Sequence, residues 1–103
     1  MVDKRRTHRT PLGAPVLYRR KGDADASPGR ARDISVGGVF VETATPFPFG
    51  TEIIVHVHLP GQKDELALQG LVRWTGADGM GLQFGLLGAR ETHAITELVQ
   101  KKA

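Results

Sequence analysis

Apolar and polar side chains alternate in the segment EIIVHVHL, residues 52–59 of this 103-residue chain. One side of the segment carries Ile53, Val55, Val57 and Leu59, and the other side carries Ile54, His56 and His58. A repeat of two residues is typical of a β-strand with one buried face. We therefore predict a strand here whose fully apolar side faces a core.

Five further segments are predicted to be strands, at residues 14–20, 31–35, 38–43, 65–75 and 80–86. Turn residues such as Gly, Pro and Asp separate them. In the fourth of these segments, the expected core side carries Leu66, Leu68, Gly70, Val72 and Trp74. Residues 89–102 follow a helical repeat instead, with an apolar stripe of Ala94, Ile95, Leu98 and Val99. The pattern predicts an all-β fold, a small six-stranded antiparallel β-barrel with a C-terminal α-helix.

Positive charge is concentrated at the start of the chain. Residues 1–32 carry nine Lys or Arg and three Asp, for a net charge of +6, whereas residues 33–103 have a net charge of −3. Residues 1–11 are almost without apolar side chains, so we predict a flexible basic arm at residues 1–13 and the barrel with its helix at residues 14–103. Such an arm suits a phosphate-bearing partner, although a merely solubilising role explains the charge as well.

The composition and the absent motifs exclude several classes of protein. Without cysteine the chain forms no disulfide, thiolate zinc site or cysteine nucleophile. No apolar run approaches the roughly 20 residues that span a bilayer, and we expect no secretory signal, because no apolar stretch follows the charged residues at the start. GxSxG, HExxH and GxxxxGK[ST] are also missing. We expect a soluble cytoplasmic binding domain that is no enzyme, does not insert into membranes and has no attached output module.

Two short motifs carry the functional signal. Arg5 and Arg9 form an RxxxR pattern in the arm, and Asp33, Ser35 and Gly38 form DxSxxG at a predicted turn between two strands. In this order on a six-stranded barrel, they resemble the PilZ family, whose signature is RxxxR followed by [D/N]xSxxG. The segments GLVRWT and GMGLQF also resemble the family's fifth and sixth strands. The resemblance implies a stand-alone receptor domain for the bacterial second messenger cyclic di-GMP.

The five motif residues have the chemistry that this ligand needs. A guanidinium group such as that of Arg5 or Arg9 binds phosphate and the O6 and N7 atoms of guanine with paired hydrogen bonds. Asp33 can accept hydrogen bonds from guanine N1–H and N2–H₂, and Ser35 offers a short hydroxyl group. Gly38 allows the ligand to approach the backbone. Ordinary turn chemistry is the alternative explanation for the residues after the arm.

Six weaker candidates for the same site are Lys4, Arg6, Arg32, Gly37, Trp74 and Gly81. Lys4 and Arg6 flank the arginine pair and leave the ligand stoichiometry open, and Arg32 follows Arg30 on the strand that leads into the second motif. A lone Trp at the end of a strand, such as Trp74, lies more often in the core or at its rim than beside a ligand. His56 and His58 have the spacing of two metal ligands on one strand, but no third ligand is evident. We therefore assign no metal and no cofactor.

The leading hypothesis is a cyclic di-GMP sensor that signals to an unidentified effector protein. Its arm is expected to be mobile without ligand and ordered with it. One alternative is a PilZ-like adaptor that binds protein partners without nucleotide. Another is a basic barrel that binds single-stranded nucleic acid, which requires exposed stacking aromatics. Nucleic acid is disfavoured because the core or turns are the expected places of Phe40, Phe47, Phe49 and Phe84.

Overall fold

Six strands and one helix make up the fold in the computed structural model, which describes residues 9–102. They are β1 (Thr10–Arg20), β2 (Ser27–Ser35), β3 (Gly38–Glu42), β4 (Glu52–Val57), β5 (Leu66–Gly76), β6 (Gly79–Phe84) and α1 (Ala89–Lys102). The strands close into a barrel in the order β1-β2-β3-β6-β5-β4, and all neighbours are antiparallel. The predicted fold class is confirmed. Most of the predicted arm, residues 1–8, lies outside the described residues.

The interior of the barrel is filled by alternate side chains of its strands. In β4 and just beyond it, Ile53, Val55, Val57 and Leu59 are each at most 2% exposed, as their alternation predicted. The same alternation buries Val39 and Val41 in β3. Because side chains fill the interior of this small barrel, a ligand has to bind outside it.

The helix extends this core. Ala94, Ile95 and Leu98 are buried, and Val99 packs against them while half-buried, so the predicted apolar stripe is confirmed. α1 contacts β2 and β5. Between residues 9 and 102 the chain forms no helix with the length and apolarity that a membrane crossing requires.

Two strands begin earlier than predicted. β1 starts at Thr10 rather than Ala14, because residues 10 and 11 pair with the end of β2. β2 starts at Ser27 rather than Ala31, although Pro28 and Gly29 are typical turn residues. Backbone pairing with β1 outweighs that local preference, and the missing side chain of Gly29 makes room for the ring of Tyr18, which a Cβ would approach to 3.1 Å.

Tyr18 brings a hydroxyl group into the barrel interior. The residue is 1% exposed, and its phenol oxygen lies 2.7 Å from Thr43 Oγ1 and 3.0 Å from Thr45 Oγ1. Its ring meets the ring of Phe47 edge-on at a centroid distance of 6.0 Å. These contacts fasten the connection between β3 and β4 to the barrel.

We predict that Tyr18→Phe lowers the free energy of unfolding by about 1 kcal/mol, the usual net contribution of such a hydrogen bond. The ring and its packing remain, so the loss isolates the hydroxyl group. Thr45→Ala is the matched control, because it leaves the phenol its contacts with Thr43 Oγ1 and the Thr45 carbonyl oxygen and should cost less. Urea unfolding followed by circular dichroism measures both, and an unchanged stability of Tyr18→Phe would contradict the prediction.

Candidate ligand-binding site

A cavity of about 410 Å³ opens on the outer wall of the barrel. Its lining consists of Arg9, Arg32, Asp33, Phe40, Trp74 and Gly81. Arg9 and Asp33 belong to the two sequence motifs, and Arg32, Trp74 and Gly81 were the weaker candidates. The fold therefore brings together residues that lie up to 72 positions apart, namely Arg9 and Gly81.

Three irregularities in strand pairing surround this cavity. The register shifts between Pro11 and Ala14 in β1, between Ala31 and Asp33 in β2, and between Val72 and Trp74 in β5. The other three strand pairs of the described barrel run without a shift. A β-bulge inserts one extra residue and re-aims the side chains beyond it. All three bulges act on the same part of the wall.

The bulge in β5 corrects the prediction for Trp74. Its side chain was expected on the core side with Leu66, Leu68, Gly70 and Val72. Because Arg73 is inserted, the alternation slips by one residue, and Trp74 pairs with the outward-facing Gly81. Trp74 is consequently 51% exposed and borders the cavity.

The bulge in β2 places two consecutive charged side chains on the outer wall. Ala31 faces the core and is buried, Arg32 is the inserted residue, and Asp33 pairs with Phe40 of β3. After Asp33 the alternation resumes, so Ile34 is again fully buried. A guanidinium group and a carboxylate thus lie side by side on the outer wall, and the guanidinium group lies over the Phe40 ring.

The bulge in β1 carries Arg9 to the same wall. Pro11 pairs with Asp33, and the chain then passes through Gly13, whose φ of 65° lies in the left-handed region that glycine adopts without strain. Arg9 directly precedes β1, and its Nε donates a hydrogen bond of 2.6 Å to Asp33 Oδ1.

The Asp33 carboxylate lies between two guanidinium groups. Arg9 binds Oδ1, and Arg32 Nε lies 3.5 Å from Oδ2. The side chains of Arg9 and Arg32 are 44% and 50% exposed, so water screens these pairs and each contributes little to stability. Both arginines can therefore exchange Asp33 for another anion at small cost to the fold.

Two aromatic rings form the floor of the cavity. The centroids of Phe40 and Trp74 are 5.7 Å apart at a tilt of 43°, and Arg32 Cζ lies 4.0 Å above the Phe40 centroid. Gly81 keeps the floor open, because a side chain there would begin 3.6 Å from Trp74 Cβ and 4.0 Å from Phe40 Cδ1. The floor, the two guanidinium groups and the carboxylate suit a ligand that combines a flat ring with negative charge.

The rest of the second motif lies in the turn between β2 and β3 and does not line the cavity. Ser35 is 2% exposed, and its Oγ accepts a hydrogen bond of 3.2 Å from Gly37 N and lies 3.5 Å from Gly38 O. A Cβ on Gly38 would overlap the carbonyl oxygen of Leu82, since β3 and β6 approach closely there. These contacts shape the turn, and ligand contacts of Ser35, Gly37 and Gly38 stay predictions.

The sequence from residue 3 to residue 101 matches the family model of the PilZ domain. The protein belongs to the PilZ domain family. PilZ domains are binding domains rather than enzymes. No curated protein matches the chain by sequence.

Solved structures share the PilZ fold with this chain. The PilZ domain of CeSA from a cellulose-synthesising bacterium has 22% identity and a TM-score of 0.74, covering 92% of this chain and 97% of that one. Bacillus subtilis inhibitor of motility (MotI/DgrA) has 19% identity and a TM-score of 0.81 over 97% of this chain and about half, 51%, of its own length. The PilZ domain of Escherichia coli YcgR, solved with cyclic di-GMP, has 16% identity and a TM-score of 0.67, covering 97% and 92%.

Phe40 is the lining residue of this PilZ domain that the sequence analysis missed. The ring is buried, as expected of a core residue, but against Arg32 and Trp74 on the outer wall. The alternation of β3 contained the signal, because Val39 and Val41 face the core and the residue between them must face outward.

The remaining candidates lie away from the cavity or outside the described residues. Lys4, Arg5 and Arg6 are among residues 1–8, which are not described. Arg30 is exposed on β2 without lining the cavity. His56 Nε2 accepts a hydrogen bond of 3.2 Å from Arg19, and His58 Nε2 lies 2.6 Å from Gln62 O.

We predict that Gly38→Ala lowers the free energy of unfolding by more than about 2 kcal/mol, because overpacking forces β3 and β6 apart. Gly37→Ala is the matched control in the same turn, since its Cβ would lie 4.0 Å from Ser35 Oγ, and it should change stability by less than about 1 kcal/mol. Urea unfolding measures both variants. Equal losses would show that the close approach of the two strands does not decide the residue at position 38.

Proposed function

We propose that this PilZ domain is a cyclic di-GMP receptor that binds the ligand at the cavity on its outer wall and signals to an effector protein. The observation that carries the proposal is the Asp33 carboxylate held between two exposed guanidinium groups in a cavity that Phe40 and Trp74 also line. The ligand presents two phosphates and two guanines, and each has a partner of matching chemistry among these groups. No cofactor is required for binding.

The phosphates compete with Asp33 for its arginines. Arg9 Nε donates to Asp33 Oδ1 in the free protein, and a phosphate offers the same guanidinium group a stronger paired hydrogen bond. Arg5 lies four residues earlier and completes the RxxxR pattern. We assign the second phosphate of the ligand to Arg5. Lys4 and Arg6 add to the positive field that attracts the ligand.

A guanine base can donate hydrogen bonds to the Asp33 carboxylate once Arg9 has moved to a phosphate. Its N1–H and N2–H₂ groups are donors, and Asp33 is an acceptor that loses part of its pairing when Arg9 moves to a phosphate. Trp74 has half of its surface free beside the cavity and offers a face on which a base can stack. Because Gly81 has no side chain, the space above Phe40 and Trp74 stays open to that base.

Two solved relatives support the ligand class. The PilZ domain of Escherichia coli YcgR and K. pneumonia MrkH are both described as complexes with cyclic di-GMP. This chain has 16% and 18% identity to them, and the aligned regions cover 97% and 98% of it. This chain has a cavity in which Arg9 and Asp33 meet, and their groups match the chemistry of that ligand.

We predict that cyclic di-GMP binds and that Arg9→Ala weakens binding by about 1–3 kcal/mol, the effect of losing one paired arginine contact. Arg90→Ala is the matched control: Arg90 also forms an exposed pair, 3.4 Å from Asp64, but does not line the cavity. Isothermal titration calorimetry measures both, and circular dichroism checks the fold. Equal weakening by Arg9→Ala and Arg90→Ala would show that non-specific charge attraction, and not the cavity, holds the ligand.

The same titration separates the alternative functions. GTP and single-stranded DNA are tested beside cyclic di-GMP, because the half-exposed Trp74 offers its ring to the bases of a single strand as well. Tighter binding of the DNA would favour a nucleic-acid-binding barrel. No binding of any of the three would favour a nucleotide-independent adaptor and would overturn the proposal.

Asp33 provides a second test, in which charge and base recognition predict opposite results. If Asp33 reads guanine, Asp33→Ala weakens cyclic di-GMP binding although it removes a negative charge from the site. Cyclic di-IMP, which lacks the N2 amino groups, should bind the native protein less tightly and should lose this disadvantage in Asp33→Ala. Tighter binding of cyclic di-GMP to the variant would show that Asp33 only repels the phosphates.

Signal transfer is proposed to work through the arm. When the ligand binds, the arm closes over it, and the effector protein meets a surface composed of arm, ligand and barrel. Hydrogen exchange should show residues 4–9 gaining protection with ligand, while β1 from Thr10 onward changes little because it is already paired. Protection of the arm in the free protein would overturn the switch but not ligand binding.

A further inference from the structure

Arg32 differs from the other arginine of the cavity in how it is held. It is the extra residue of the β2 bulge, and its guanidinium group lies 4.0 Å above the centroid of the Phe40 ring. Arg9 has no such aromatic partner among the described contacts and binds Asp33 edge-on. Arg32 thus has an aromatic ring beneath its guanidinium group, whereas the described contacts hold Arg9 by one ion pair.

The edge of the Arg32 guanidinium group is directed at carboxylates. Nε lies 3.5 Å from Asp33 Oδ2, and Nη1 lies 3.9 Å from Glu42 Oε2. Two of its three nitrogens therefore already face negative charge, which lowers its attraction for a phosphate. The Phe40 ring covers one face of the Arg32 guanidinium group. Since the side chain is 50% exposed and lines the cavity, the opposite face remains accessible to a ligand.

We propose that this second face of Arg32 is a stacking surface for a guanine base of the ligand, with Phe40 as the positioning residue behind it. The inference rests on the proposed function and extends it to two residues outside both sequence motifs. A planar guanidinium group stacks on aromatic rings, whereas the ammonium group of lysine has no plane to offer. The resulting order is Phe40, Arg32 and base, three flat groups one above the other.

The stacking role and a phosphate-binding role predict different effects of Arg32→Lys. Because Nε and Nη1 of Arg32 already face carboxylates, the group has no free pair of nitrogens for a phosphate, and lysine would supply the remaining single charge contact with unchanged salt dependence. A stacked base would lose its platform, and we expect the affinity for cyclic di-GMP to fall about fivefold or more, the lower range for loss of one base stack. Arg32→Ala should weaken binding no less than Arg32→Lys does.

Arg30→Lys is the matched control, because Arg30 is also an exposed arginine of β2 but does not line the cavity. Phe40→Leu keeps an apolar side chain and removes the ring, so it should weaken binding in the same direction. Because Phe40 acts through Arg32, the Phe40→Leu and Arg32→Lys effects should be less than additive in the double variant. Circular dichroism and urea unfolding check that each variant keeps the fold.

Calorimetric titration of the full chain with cyclic di-GMP decides the inference. A loss in Arg32→Lys together with unchanged binding by Arg30→Lys supports stacking. Native affinity of Arg32→Lys, or equal losses in both variants, overturns it while the receptor function stands. Absence of binding by the native protein is a different result, since it removes the proposed function itself and the stacking role with it.

Discussion

A closed barrel with a filled interior must send every second side chain of each strand into the core, and this limits what its outer wall can carry. Regular alternation would separate neighbouring outward residues by one buried position, as in β4. Three β-bulges around the cavity remove that limit locally. They place Arg32 beside Asp33, turn Trp74 outward and lead Arg9 back to the wall. The site therefore depends on interruptions of the same pairing that makes the barrel.

The charges of the site are arranged for exchange rather than for stability. The arginine pairs of Asp33 are about half exposed on the arginine side, so water screens them and the fold gains little from them. Stability comes instead from apolar burial and from buried polar contacts such as that of Tyr18 with Thr43. This division allows a ligand to take over the guanidinium groups while the barrel remains unchanged.

Local sequence patterns predicted the architecture well, because each strand and the helix carries its own periodicity. The stripe of α1 and the buried side of residues 52–59 are present as predicted. The starts of β1 and β2 were missed because Pro11, Gly13, Pro28 and Gly29 are residues that locally disfavour a strand. Pairing with a partner strand makes them extended, and that pairing is not a local property.

The sequence by itself determined the class of fold, the family signature and the chemical types of the site, since spacing and composition are local. Tertiary structure decided which of those residues meet. Trp74 was expected to face inward, and only the pairing of β5 with β6 contains the bulge that turns it outward. Phe40 becomes a wall of the cavity because Arg32 and Trp74 approach it from other strands. The need for glycine at position 38 likewise follows from the close approach of β3 and β6, because a clash between two backbones depends on distances that no single segment encodes.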